Sequence, residues 1–336
     1  MTEKSYGGST GIPTPKSITK TKNSQEFIEE TKKKKMESES RIIEPEEMEK
    51  LKQAGEIAKK VKQYIRPLIK QGTPLLEIAE KIENKIVELG GKPAFPTGLA
   101  INEIAAHSTP TYNDETKAEG LLKVDLGVQI DGYVADTAFS MDLDNNEENK
   151  KLIEAAEKAL GAAIKTTTVG TPLNKIGAAA ESEIQSKGFE PIRNLSGHEI
   201  EQWDLHAGLT IPGFDNSQPT QISEGTFAIE PFSTNGVGAV REGKPSGIYM
   251  IESENNVRDR FAREILDFIV EEYQTLPFCS RWLVKKFGTR ALLAISQIER
   301  AGILHHYPQL IEKGNGKVAQ AEHTIILTKK ETIITT

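Results

Sequence analysis

Cysteine is nearly absent from this sequence, and excess positive charge and long apolar runs are missing altogether. Cys279, in the apolar stretch Leu276-Pro277-Phe278-Cys279, is the one cysteine among 336 residues, so no disulfide can form within the chain. No apolar run is long enough to cross a bilayer and no signal-type segment follows Met1, which predicts a soluble, cytoplasmic protein with no membrane partner. In that compartment the sequon Asn194-Leu195-Ser196 is incidental. A formal net charge of -7 and an isoelectric point near 5.6 exclude a globally basic nucleic-acid binder, and no DNA partner is expected. Residues 1–44 lack a periodic apolar pattern; they are polar, with scattered Gly, Pro, Ser and Thr, and read as a disordered tail. Within it the run Lys32 to Lys35 offers a contact for a polyanion such as ribosomal RNA. A chain of this length builds its core without disulfides or structural metals, which leaves any metal site free to serve catalysis.

From Pro45 the pattern changes. Met48, Leu51, Ala54, Ile57, Ala58, Val61 and Ile65 recur at three- and four-residue steps, the stripe of a helix buried on one side. A second helix is expected to open at Thr73-Pro74, with Thr73 as cap and Pro74 in the first turn, and to run through Ile78, Ile82 and Ile86 to Gly90-Gly91. The plan then returns. Leu152 to Ile164 gives another helix, and Gly170-Thr171-Pro172-Leu173 opens one that stops near Gly188. An offset of 98 residues places Gly72 on Gly170, Ile78 on Ile176, Gly90 on Gly188 and Pro93 on Pro191. Such matches indicate a duplicated half-domain of two helices followed by strands, and two halves joined through their sheets give an α+β body with a cleft between them.

Leu121 to Asp142 reads as a β-hairpin with Asp131-Gly132 as its turn. Two registers fit. A centre between Ile130 and Asp131 sets Asp125 directly opposite Asp136, about 5 Å away; a two-residue loop makes them diagonal neighbours, about 7 to 8 Å apart. Both residues stand in mostly apolar strands, where a carboxylate needs a partner.

Three further residues of ligand type follow in comparable settings: His198 after Leu195-Ser196-Gly197, Glu230 at the end of Thr226-Phe227-Ala228-Ile229, and Glu322 ahead of Thr324-Ile325-Ile326-Leu327. Four carboxylates and one imidazole gathered without a cation would repel one another, at roughly 4 kcal/mol for two like charges ~4 Å apart in an effective dielectric of ~20. Two divalent cations would cancel the four negative charges. An oxygen-rich set with one nitrogen and no thiolate suits hard or borderline ions such as Mn²⁺, Fe²⁺ or Co²⁺ better than a structural zinc site. His107 and His206 also sit beside small residues, in a chain with only six histidines.

These segments resemble the methionine aminopeptidases, and their type II subclass in particular, over residues 45–330. The matching runs are Ala94-Phe95-Pro96-Thr97, Ala105-Ala106-His107, Lys123-Val124-Asp125-Leu126-Gly127, Asp136-Thr137-Ala138-Phe139, Asn194-Leu195-Ser196-Gly197-His198, His206-Ala207-Gly208, Ala228-Ile229-Glu230-Pro231 and Glu322-His323-Thr324. The subclass is carried by the long stretch between Glu230 and Glu322, where type II members hold an inserted helical subdomain. Here helix-like patterns run from Asp259 to Tyr273 and from Thr289 to Ala301, and Leu276 to Trp282 is similar to a type II motif.

The resemblance implies a pita-bread fold over residues 45–336, with a helical insertion at about residues 255–315 and the metal pair in the cleft. It implies that Asp125 chelates one ion, that Asp136 and Glu322 bridge both, and that His198 and Glu230 complete the other, the ions being two among Co, Mn, Fe or Zn. Glu230 would also move a proton, His107 and His206 would donate hydrogen bonds to the scissile amide or the oxyanion, and Phe95 and Leu205 would line a methionine pocket. A histidine that some members place near this pocket is missing around Ile248-Tyr249. The expected activity is removal of the initiator methionine from nascent polypeptide N-termini ahead of a small second residue, by a monomer. Two rivals share the fold: an Xaa-Pro peptidase of prolidase or aminopeptidase P type, which normally carries a whole domain ahead of the metal-binding body, and a non-catalytic protein that binds RNA or the ribosome, which normally loses ligands.

Overall fold

The structure, a computed structural model, describes residues 43–336. The expected polar tail, Lys32 to Lys35 included, lies outside the described residues except for Ile43 and Glu44. The first half begins with α1 (Pro45–Ile65), whose stripe Leu51, Ala54, Ile57, Ala58, Val61 and Ile65 is buried, followed by α2 (Leu75–Glu88). Short strands β1 (Lys92–Pro93), β2 (Gly98–Ile101) and β3 (Ile104–Ala106) precede the long hairpin of β4 (Leu121–Ile130) and β5 (Tyr133–Asp142).

The second half repeats this plan with α3 (Glu147–Thr166), α4 (Leu173–Ser186), β6 (Glu190–Pro191), β7 (Ser196–Ile200), β8 (Thr210–Pro212), β9 (Gly225–Ile229) and β10 (Phe232–Thr234). Next come β11 (Val240–Ile251), α5 (Arg260–Glu272), β12 (Phe278–Cys279), α6 (Ser280–Phe287), α7 (Ala291–Arg300) and β13 (Leu304–Glu312). The chain ends with β14 (Val318–Gln320), β15 (His323–Leu327) and β16 (Thr332–Ile334). Strand orders are β1-β4-β2 with β5 on β4, β14-β10-β6, β12-β11-β13-β3 and β16-β15-β9-β7-β8.

The duplication extends to single hydrogen bonds. Helices α2 and α4 start and stop at the same 98-residue offset, Leu75 against Leu173 and Glu88 against Ser186. Gly72 and Gly170 both adopt positive φ (85° and 88°), as do Gly90 and Gly188 (90° and 81°), a left-handed conformation in which glycine carries no Cβ penalty. Gly72 N–H bonds to the Ala118 carbonyl as Gly170 N–H does to Ile222, and Leu75 N–H to Thr116 as Leu173 N–H to Thr220. One expectation fails: Thr73 is not the cap, and the second copy is built the same way, with Pro172 at the corresponding position. Pro74 occupies the cap position, so the Thr73 hydroxyl lies one residue early and takes the N–H of Lys70 (3.2 Å), while Thr171 takes that of Thr168 (3.3 Å).

Each half owns a core. In the first, α1 and α2 cover Leu122, Val124, Leu126, Val128 and Phe139 of the hairpin; in the second, α3 and α4 cover Phe227, Ile229, Ile325 and Leu327. Side-chain hydroxyls join the halves. Thr324 Oγ1 accepts from Asp136 N–H (2.7 Å) and donates to Asp136 O (2.8 Å), Thr137 Oγ1 donates to Glu322 O (2.8 Å), and Ser140 Oγ donates to Gln320 O (2.8 Å). Helices α5, α6 and α7 intervene between β11 and β13, in the span where an insertion is expected.

Candidate metal centre and active site

The hairpin turn decides between the two registers left open by the sequence. Asp131 and Gly132 both have positive φ (50° and 85°), and Ile130 pairs with Tyr133, so the loop has two residues. Asp125 therefore lies opposite Ala138 and Asp136 opposite Gly127, which makes the two aspartates diagonal neighbours on one face. Gly127 is required here, because a Cβ at that position would overlap the Phe95 ring.

His198 reaches the same place from β7, between Thr210 on β8 and Ala228 on β9. Glu230 directly follows β9, where Pro231 lacks the N–H needed to continue the ladder, and Glu322 occupies the break between β14 and β15. These five residues line one cavity of about 250 Å³ together with His107, His206, Phe95 and Leu205. All nine residues singled out in the sequence thus meet in one place. Ligand atoms of Asp136, His198 and Glu322 lie within 4.8 Å of one another, and His198 Nε2 stands 3.7 Å from Asp136 Oδ2 and 3.6 Å from Glu230 Oε1.

Burial makes this arrangement costly. It pushes the Asp125 carboxyl up to about 7, and it raises Asp136, Glu230 and Glu322 well above the carboxylate range, with repulsion from neighbouring carboxylates adding to each. Burial also drives His198 down to about 3 and His107 down to about 4. His206 opens onto the cavity, yet protein surrounds its ring closely enough to lower its pKa as well. Asp125 Oδ1, Asp136 Oδ1 and Glu322 Oε2 are buried with no hydrogen-bond partner among the described residues. Orphaned buried oxygens are expensive, and three of them aimed into one cavity form the donor set for a cation.

The imidazoles are oriented by carbonyls, which only accept. His198 Nδ1–H donates to Glu199 O (3.4 Å), and that leaves the Nε2 lone pair toward the carboxylates. His107 Nδ1–H donates to Pro308 O (3.3 Å), so neutral His107 offers its Nε2 as an acceptor. In this tautomer the cavity-facing nitrogen of His107 is an acceptor, where the sequence reading expected a donor. Among the described residues no comparable bond fixes the His206 ring, which stands edge-on to His198 with centroids 4.4 Å apart.

Sequence reading missed Tyr307, Leu310, Phe232 and Pro277 in the cavity wall, and Gln320, whose Nε2 donates to Glu230 Oε2 (3.3 Å). Tyr307 had a signal: His305-His306-Tyr307 is a run of three ring residues in a chain only 6% aromatic. Gln320 had none. Its importance comes from the pairing of β14 with β10, which carries residue 320 to Phe232, next to Glu230.

A sequence model of metallopeptidase family M24 matches residues 49–329. The chain is 48% identical over 295 residues to a methionine aminopeptidase of Pyrococcus abyssi, a match that covers 86% of this chain and 99% of that one. Among solved structures it is similar to a thermophilic Arx1, with a TM-score of 0.77 at 17% identity over 88% of this chain and 91% of the other. It is also similar to a methionine aminopeptidase of Thermotoga maritima, with a TM-score of 0.65 at 21% identity over 88% and 99%.

Proposed function

The chain belongs to the methionine aminopeptidases of metallopeptidase family M24, metal-binding hydrolases that remove N-terminal methionine, and on that premise we propose how its own residues do so. The carrying observation is the convergence of five ligand-type side chains, three with orphaned buried oxygens, on one cavity. Such a donor set fits two divalent cations, which Asp125, Asp136, His198, Glu230 and Glu322 would hold. When bound, the cations supply an activated water and polarise the scissile carbonyl.

The remaining roles belong to the protein. His107 Nε2, a lone pair held in place by the Pro308 carbonyl, accepts the N–H of the second substrate residue. His206, whose ring proton is free to face the cavity, donates to the oxygen that gains charge. Glu230 carries a proton to the leaving amine, its far oxygen steadied by Gln320. Phe95, Leu205, Pro277 and Ile248 form an apolar wall suited to an unbranched thioether. His107 and Tyr307, edge to face at 5.1 Å, narrow the space beyond the scissile bond, which favours a small second residue.

The substrates in this reading are nascent polypeptides in the cytoplasm. A monomer suffices, since one chain supplies every group named. The helices α5 to α7 support placement in the type II subclass. Ribosome contact through Lys32 to Lys35 is a further element of the proposal, resting on charge alone.

The purified protein, loaded with Mn²⁺, Fe²⁺ or Co²⁺, is expected to free methionine from Met-Ala-Ser and to leave Ala-Pro intact. Cleavage of Ala-Pro alone would replace this reading with the Xaa-Pro one, and failure to bind metal or release methionine would favour the non-catalytic rival. Metal analysis of protein purified without added metal identifies the resident ion.

A further inference from the structure

The loop between β7 and β8 carries Leu205 and His206, and it is held from outside the site. Glu201 and Asp204 exchange backbone hydrogen bonds (2.9 and 3.0 Å) to close a tight turn, with Trp203 at φ 63° inside it. Three hydrogen bonds from two other pieces of chain fasten that turn. Trp203 N–H donates to Gly132 O (2.9 Å) and Gln202 Nε2 to Asp131 O (2.9 Å), both at the tip of the first-half hairpin, while Thr275 Oγ1, just after α5, donates to Trp203 O. The indole lies so close over Gly132 that a Cβ there would overlap its ring. Trp203 also packs against the apolar cluster that contains Leu205 and Leu276, as Phe95 does. Asp204 Oδ1 then accepts the N–H of His206 (3.3 Å), passing the anchorage on to the histidine.

We propose that Trp203, seated on Gly132, is the positioning residue for His206: it joins the two halves and the helical insertion at the cavity mouth and fixes the imidazole over the scissile bond. This rests on the role given to His206 above. A left-handed φ at a bulky residue is strained, and it persists where neighbours over-determine it. The hairpin tip, the Thr275 hydroxyl and the apolar wall provide that constraint.

The test is a double-mutant cycle on the metal-loaded full chain, with methionine release from Met-Ala-Ser as readout. Misplacing a catalytic group by ~1 Å costs on the order of 100-fold, so Trp203→Ala is expected to lower kcat by about that factor with bound metal unchanged. Trp203→Phe, which keeps a ring on Gly132, should recover most of the loss. Gly132→Ala should reproduce the loss by displacing the indole, which also covers the case of Trp203→Ala failing to fold. In a His206→Ala background, Trp203→Ala and Gly132→Ala should each cost less than about twofold more. Losses that multiply in that background, or a silent Trp203→Ala, would overturn the proposal alone. A silent His206→Ala would overturn the role of His206 and this proposal with it.

Discussion

Asp136 stands in the middle of β5 with Oδ1 buried and unpartnered, facing His198 and crowded by the carboxyl groups of Asp125, Glu230 and Glu322. A residue that only served the fold would not be kept in that state, because an amide of the same shape would relieve both the repulsion and the burial cost. Asp136→Asn is therefore expected to abolish metal uptake and methionine release while stabilising the metal-free protein by about 1 to 3 kcal/mol, measured by urea denaturation. A less stable metal-free variant would mean that the carboxylate supports the fold. Cys279 is the opposite kind of residue. Burial lifts its thiol from an ordinary value of 9.0 to about 12, against the pull of Arg281. Because the thiolate is the reactive form, alkylation of the native protein should be slow at pH 8 and rise about tenfold per pH unit, whereas the unfolded chain should react fully near pH 9. Linkage follows the same sign: the unfolded state loses its proton first, so this thiol lowers stability as pH rises from 9 toward 12. Rapid native alkylation at pH 8 would show an open thiol.

The stretch Leu276 to Trp282 shows how an element acquires meaning only in three dimensions. As sequence it is an apolar run resembling a motif. In the fold Pro277 lines the cavity, Phe278 and Cys279 pair with Tyr249 and Ile248, and Arg281 and Trp282 reach back to Glu83 on α2. Glu83 takes both guanidinium nitrogens (2.7 and 2.8 Å), the Trp282 indole N–H (2.8 Å) and the Thr97 N–H (3.3 Å), while Arg281 Nε donates to Pro110 O (3.0 Å). This buried pair clasps the segments that lead to Phe95 and His107. Arg281→Met should cost about 3 to 5 kcal/mol by leaving a buried carboxylate with an unmatched charge, and Glu83→Leu in that background should restore much of it. If the single variant lost under ~1 kcal/mol in denaturant, the pair would be only a surface contact. Helices were legible in advance because one buried stripe repeats locally: α1 begins at Pro45 as expected, and α7 spans Ala291–Arg300 where Thr289 to Ala301 was read. Hairpin register was not, since strict alternation satisfies both pairings and only the conformation at Asp131-Gly132 separates them. The Glu83 clasp was equally hidden, with its partners 198 residues apart.

At the scale of the whole molecule, the ligand set is divided between two bodies with separate cores. Asp125 and Asp136 come from the first half and His198 and Glu230 from the second, and Glu322 arrives on the segment that returns after the helical insertion. That ordering was visible from residue types and their apolar settings, because a buried carboxylate signals itself wherever it occurs. The His107 tautomer was invisible, because it depends on the carbonyl of Pro308 more than two hundred positions away. In this arrangement, removing metal takes away the groups' shared counter-charge and leaves the hydroxyl stitches between β5 and the Gln320 to Thr324 segment to hold together four crowded, desolvated carboxyl groups that can shed their repulsion only by taking up protons. A ligand at 100 times its Kd contributes about 2.7 kcal/mol to the folded state, so chelation should lower stability by at least that order. The loss should also be localised. Amide hydrogen exchange should quicken in β5, β7, β9 and β15, which carry or flank the ligands, and change little in α5 to α7, whose packing through Ile265, Ile269, Leu283, Ile295 and Ile298 is remote from the cluster. Faster exchange confined to the insertion, or none at all on chelation, would mean that the two halves are held by their sheets alone and that the metals act only in the chemistry.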